Sequence, residues 1–126
     1  MGQLLFGFQG RVNRAKWWLV HLGMWIVYAI VVAIIGGSAF MSADPTAALS
    51  SVGAIGGIVL LVLSIAIIWI GLAVAAKRWH DRGKSAWWIL IAFVPVIGGL
   101  WYLIECGFLK GTSGPNQYGA DPLAAL

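Results

Sequence analysis

Three long stretches of the chain carry no formal charge. Between Lys16 and Asp44 lie 27 such residues, between Asp44 and Lys77 lie 32, and between Lys84 and Glu105 lie 20. A helix needs roughly 20 mostly apolar residues to cross a hydrocarbon core about 30 Å thick. Each stretch is therefore long enough for one crossing, and none is comfortably long enough for two. The pattern predicts crossings at about residues 17–36, 54–76 and 86–106. Trp17 and Trp18 open the first, where aromatic rings sit among headgroups. Gly36, Gly37 and Ser38 loosen its far end, and Asp44-Pro45 marks a turn in the loop that follows. Gly53 and Gly57, four apart at the start of the second crossing, are spaced to let helix backbones approach. The third stretch is interrupted by Pro95, with Gly98-Gly99 behind it. Proline removes a backbone donor, and in a membrane the freed carbonyl must find a partner within the protein. The stretch then forms either one kinked helix, the preferred reading, or a re-entrant pair of half-helices. Residues 1–16 read as a short amphipathic lead-in lying at the interface, with Leu4, Leu5, Phe6 and Phe8 ahead of Arg11, Arg14 and Lys16. The tail, 107–126, has the glycines and prolines of turns.

Composition agrees. The 126 residues, the size of one small domain, are 61% hydrophobic and only 10% charged, against about 25% charged in soluble domains. The net charge of +4 does not argue for nucleic acid, which needs a basic face on a water-exposed domain. It follows instead the lysine and arginine bias of cytoplasmic loops. The lead-in holds three cations and no acid, the first loop only Asp44, and the stretch 77–85 holds Lys77, Arg78, Arg82 and Lys84 against Asp81. Both basic clusters put the N-terminus and residues 77–85 in the cytoplasm. Lys110 and Asp121 cancel in the tail. Three crossings would leave that tail outside, and a re-entrant third segment would return it inside. The first apolar run exceeds the 7–15 residues of a signal-peptide core and is expected to remain uncleaved. Phe6 excludes a myristoylation signal at Gly2. Cys106 is the one cysteine, so neither an internal disulfide nor a CxxC pair is available.

Chemistry-bearing residues are few. Gly83-Lys84-Ser85 resembles the end of a phosphate-binding loop, but that loop needs a glycine where Arg78 stands. His80-Asp81 could be a metal pair or an acid–base dyad, yet a metal asks for three or four converging ligands. The preferred reading has Asp81 paired with a neighbouring arginine and His80 hydrogen-bonded to the loop, with no metal. Arg14, Trp18, His21, Trp25 and Tyr28 share one helical face. His21 could in principle ligate haem with His80, but an aromatic packing face is the simpler reading, and no cofactor is expected. Glu105 ends the third stretch with Gly98, Trp101 and Tyr102 on its face. An ionisable group at membrane depth is a functional candidate by default.

Three separated motifs occur in order: Gly10-Arg11-x-x-Arg14-x-x-Trp17-Trp18, then Lys77-Arg-Trp-His80-Asp81-Arg-Gly-Lys84-Ser-Ala-Trp87-Trp88, then Gly114-Pro-Asn116-Gln-Tyr118-Gly119-Ala-Asp121-Pro122. Together with Pro95 and Gly98 they make the chain similar to the bacterial domain-of-unknown-function 805 family over nearly its whole length. It departs from the family's usual residues at Trp79, Arg82, Ala86 and Gln117. The resemblance implies a multi-pass protein of the bacterial inner membrane, and it implies no activity. On this reading Arg11, Arg14, Lys77, Arg78, Arg82 and Lys84 lie at the cytoplasmic headgroup layer, and a tail folded back there pairs Tyr118 and Asp121 with them.

The expected architecture is all-α: a single membrane domain of three transmembrane helices, the third Pro-kinked or re-entrant, with an interfacial N-terminal segment. Three functions compete. The preferred one is an interaction or assembly protein whose basic cap contacts anionic phospholipid headgroups or a membrane-protein partner, with a homo-oligomer also open. The second is a small oligomeric transporter or channel using Glu105 and the Pro95 break. The third is a membrane-embedded enzyme using His80 and Asp81. Short extramembrane loops leave little room for a catalytic domain, so no enzymatic role is expected.

Overall fold

A computed structural model of the chain describes residues 2–41 and 44–123. Helix α1 spans Gly2–Phe6, α2 Arg14–Phe40 and α3 Pro45–Asp81. A 3₁₀ segment, Ala86–Phe93, is followed by α4, Ile97–Tyr102, and a π-helical turn, Leu103–Phe108. No strand occurs among the described residues, and a single antiparallel bridge joins Asn116 to Gly119 in the tail. The all-α expectation therefore holds.

The first two charge-free runs form helices at Arg14–Gly37 and Gly53–Asp81, each long and apolar enough to cross a membrane. Only 11% and 17% of their apolar stretches are buried. Core helices of soluble proteins hide such surface, whereas helices apolar all round belong in lipid. Local signals set the helix ends. Asn13 caps α2, its side-chain oxygen accepting from the Lys16 amide at 2.8 Å. The Asp44-Pro45 pair proves to be a helix start. Asp44 accepts from the Thr46 amide at 2.9 Å, and proline fits the first helical position. Gly53 breaks α3 with φ 69° and ψ 172°, a conformation that glycine adopts at little cost. The helix resumes where the second crossing was expected.

The basic stretch is only in part the loop the sequence suggested, with residues 82–85 connecting two helical segments. Lys77–Asp81 form the last turn of α3, and cations there complement the helix dipole. The helix closes as a Schellman motif. Gly83 takes φ 78°, its amide donates to His80 O at 2.9 Å, and the Lys84 amide donates to Trp79 O at 2.9 Å.

Nor is residues 86–106 one kinked helix. The 3₁₀ limb runs out to Phe93, and the chain turns at residues 94–96 and returns as α4. Val96 sits at φ 64°, strained for a β-branched residue. The limbs touch backbone to backbone: a Cβ on Gly98 would lie 1.8 Å from Ile91 O. Trp88 and Trp101, one from each limb, have ring centroids 6.1 Å apart. The 3₁₀ geometry, the proline and Gly98 together allow a hairpin where a regular helix would continue.

The chain forms two compact units, one of Met1–His21 with Trp69–Leu126 and one of Leu22–Ile68. The first has a core of Val12, Trp17, Val74, Trp79 and Cys106, against which Leu4, Trp18, Ile89 and Tyr102 pack. Ala73, Ala75 and Ala76 are buried beside Val74 and allow close backbone approach. The lead-in is tied to α3: the Val12 amide donates to Lys77 O at 3.2 Å, and Trp69 Nε1 donates to Phe6 O at 3.3 Å. In the second unit α2 and α3 flank an apolar groove of about 410 Å³ lined by Met24, Trp25, Tyr28, Ala29, Ser64, Ile67 and Ile68.

Candidate functional site

The polar residues of the first unit converge at the end of α3. Asp81 is their centre. Arg11 Nε donates to its Oδ1 at 3.0 Å, and Arg78 donates to its Oδ2 at 2.5 Å. All three side chains are 4% exposed or less. Two guanidinium groups around one carboxylate leave a buried excess of positive charge, which costs free energy unless it is solvated internally. Backbone carbonyls supply that solvation. Arg11 donates to Thr112 O at 2.5 Å, Gly114 O at 2.7 Å and Gly119 O at 3.2 Å. Arg78 donates to Cys106 O at 2.6 Å, Leu109 O at 2.5 Å and Val12 O at 3.4 Å. These carbonyls belong to the π turn, the tail and the lead-in, where no regular helix would satisfy them. The arginines thus bind three irregular segments to one helix end.

Neighbouring contacts extend the cap. His80 Nδ1 lies 3.0 Å from Gly10 O and so carries its proton toward that carbonyl. The Tyr118 ring stacks on the His80 ring at 4.0 Å with 5° between planes. Asn116 Nδ2 donates to His80 O at 2.8 Å. Arg14 donates to Phe108 O at 2.7 Å, and Lys77 Nζ donates to Leu4 O. Asp121 accepts from the Leu123 and Gly114 amides, both at 2.9 Å. Those two bonds, with Arg11 and Lys110 nearby, hold its carboxyl below the usual carboxylate range.

A second cluster joins the hairpin's two ends. Lys84, before the outgoing limb, and Glu105, after the returning one, form an ion pair at 2.5 Å. Arg82 Nε adds a contact at 3.4 Å, and Trp101 Nε1 donates to the other carboxylate oxygen at 2.6 Å. The Lys84 ammonium also lies 4.4 Å from the Trp88 ring centroid and 5.7 Å from that of Trp79. Glu105 is nearly buried, whereas the Arg82 and Lys84 side chains are 25% and 31% exposed.

These placements change several expectations. Of the six cations expected at the headgroup layer, Arg11, Lys77 and Arg78 have side chains enclosed by the protein, each charge taken up by carbonyls or by Asp81. The tail does fold back, yet neither Tyr118 nor Asp121 takes the arginines, which belong to Asp81. His21 does not join the cap. Its Nδ1 lies 2.8 Å from Trp17 O, one turn back on its own helix, and its ring packs on Trp17 at 4.2 Å. His80 and Asp81 face different partners and form no dyad. Among the described residues no group of three His, Cys, Asp or Glu could hold a metal ion.

Sequence reasoning missed Gly111. A Cβ there would lie 2.0 Å from Asp81 Oδ2, so only glycine lets the tail pass that carboxylate. Asn116 and Thr112 were also missed as cap residues. The tail motif contains Asn116, but nothing in the spacing points it at His80.

Long apolar helices with exposed surfaces fit a helical membrane protein. The chain belongs to the family described as protein of unknown function (DUF805), whose model matches residues 5–120. Inner membrane protein YhaI of Escherichia coli K12 is 36% identical over 117 residues, covering 92% of this chain and 86% of that protein. Inner membrane protein YhaH of the same strain is 31% identical over 116 residues, covering 92% and 87%. The uncharacterized protein YiiR of that strain is 31% identical over 143 residues, covering 94% and 88%. No solved structure matches.

Proposed function

We propose that this is a non-catalytic inner-membrane protein with two full crossings and one re-entrant hairpin. Its lead-in, the end of α3 and its tail share the cytoplasmic face, where the cap works by contact with anionic headgroups or a membrane-protein partner. The observation that carries this reading is the Lys84–Glu105 ion pair. A segment whose two ends meet at 2.5 Å leaves and returns on one side. The charges support the orientation. All eight lysines and arginines belong to the first unit, against three of the four carboxylates, and such a concentration follows the positive-inside bias. The non-catalytic reading rests on Asp81 being saturated by two arginines and His80 by Gly10 and Tyr118.

Single-cysteine labelling tests it. In a Cys106→Ala background, Ser113→Cys reports the tail and Met41→Cys the opposite end of α2; both positions are exposed. With a membrane-impermeant maleimide on intact cells, Met41→Cys labels, and Ser113→Cys labels only after permeabilisation. Labelling of Ser113→Cys in intact cells overturns the re-entrant reading.

A further inference from the structure

Arg82, Lys84 and Glu105 form the mouth of a groove of about 550 Å³, whose wall continues through Ile104, Trp101, Leu100 and Ile97. The wall is apolar and open: Ile97, Leu100 and Ile104 are each more than half exposed. From Ile104 to Ile97 it spans on the order of 10 Å along the returning limb. The mouth is cationic and accessible, because Arg82 and Lys84 keep a quarter to a third of their side-chain surface. Their shared carboxylate is different. Glu105 is nearly buried and held by Lys84, Arg82 and Trp101. It cancels one charge and offers nothing to an incoming cation. The groove therefore presents a net positive mouth above an apolar channel, flanked by Trp101 as an amphipathic ring at the boundary.

We propose that this groove is a binding site for one anionic phospholipid. Its phosphodiester lies between Arg82 and Lys84, and an acyl chain lies along Leu100, Ile104 and Ile97. Charge complementarity selects the headgroup. A phosphate accepts charge-assisted hydrogen bonds from both cations, whereas an ammonium headgroup meets no free carboxylate. The length of apolar wall argues for a chain-bearing ligand over a free phosphate. This rests on the reading of residues 86–106 as a membrane-embedded hairpin, and it narrows the general headgroup contact proposed above to one site.

The test uses the full chain in detergent micelles and counts retained lipid by native mass spectrometry, so its outcome does not depend on which side the tail occupies. The probes are dioleoylphosphatidylglycerol, dioleoylglycerol, which lacks the phosphate, and glycerol 3-phosphate, which lacks the chains. The full chain retains one phosphatidylglycerol and binds the other two at least tenfold more weakly. The double variant Arg82→Gln/Lys84→Gln loses roughly tenfold or more in affinity, on the scale of one or two charge-assisted bonds. Leu100→Trp fills the channel without touching the cap and produces a comparable loss, so the proposal stays testable if the double variant fails to fold. Lys16→Gln, on exposed α2 surface, changes retention by less than about twofold. Equal loss in Lys16→Gln overturns the site in favour of diffuse surface attraction. Equal retention of dioleoylglycerol overturns the role of the cations, and equal binding of glycerol 3-phosphate overturns the role of the groove.

Discussion

Lys84 and Glu105 are separated by 20 uncharged residues, yet their charged groups lie 2.5 Å apart. The contact closes the base of the hairpin, and Trp88 and Trp101 pack just beyond it. Since Glu105 is nearly buried while Lys84 is partly exposed, the pair lies between a surface ion pair worth up to about 1 kcal/mol and a buried one whose breaking costs several.

A charge exchange checks this contact. Lys84→Glu and Glu105→Lys each set like charges against one another and destabilise the fold by about 1 kcal/mol or more. The double exchange is less destabilised than the sum of the two single losses, read by thermal unfolding in micelles, although it still sets a cation against Arg82. Strictly additive losses would mean that the two groups do not meet.

Asp81 is the point on which the cap depends. Asp81→Asn leaves Arg11 and Arg78 enclosed without a counter-charge and costs about 3–5 kcal/mol. Arg11→Lys also fails, because an ammonium cannot reproduce the planar fork that reaches Asp81 and three carbonyls. Denaturant titration of the purified variants gives the values. A loss under about 1 kcal/mol for Asp81→Asn would contradict the cap geometry.

Neighbouring glycines provide a contrast. Gly98→Ala drives a methyl into the Ile91 carbonyl, and Gly111→Ala drives one into the Asp81 carboxylate. Both are expected to cost more than about 2 kcal/mol. Gly99 has nothing within 4 Å of its would-be Cβ, so Gly99→Ala is close to neutral. Melting temperatures of the three variants decide the matter, and equal behaviour of Gly98 and Gly99 would refute the hairpin packing.

Asp121 predicts a pH response. Its carboxyl is held below the usual range by the Leu123 and Gly114 amides. The folded tail therefore binds this proton less readily than the unfolded chain does. The stability it contributes is fully present above the unfolded value of about 3.9 and is lost as pH falls through the lower folded value. In an amide NMR titration the Gly114 and Leu123 signals move together with a midpoint under about 3.9. A midpoint at or above that value would exclude the two hydrogen bonds.

Much of this was readable from residue order alone. The two long charge-free runs announce α2 and α3, because few other arrangements tolerate so many exposed apolar side chains. Pro95 marks the break in the third run. Whether the chain continues or turns back there depends on Gly98 meeting Ile91 O, a contact between residues of different limbs that no periodicity encodes. The basic residues were legible as a cluster, but their burial was not. Hydropathy treats Arg11 and Arg82 alike, although one is enclosed by carbonyls of the tail and the other faces a groove. Gly111 was hidden because its role depends on a carboxylate 30 positions earlier in the chain.

The reach of Arg11 has a consequence for how the protein is made. Its carbonyl partners Thr112, Gly114 and Gly119 are 101, 103 and 108 residues away along the chain. While the ribosome is still translating α2 and α3, those partners do not exist. The Arg11 guanidinium then lacks the carbonyls that enclose it in the finished fold. Only once the tail is made can that charge be enclosed, so the residue that closes the fold waits for almost the last segment to be synthesised.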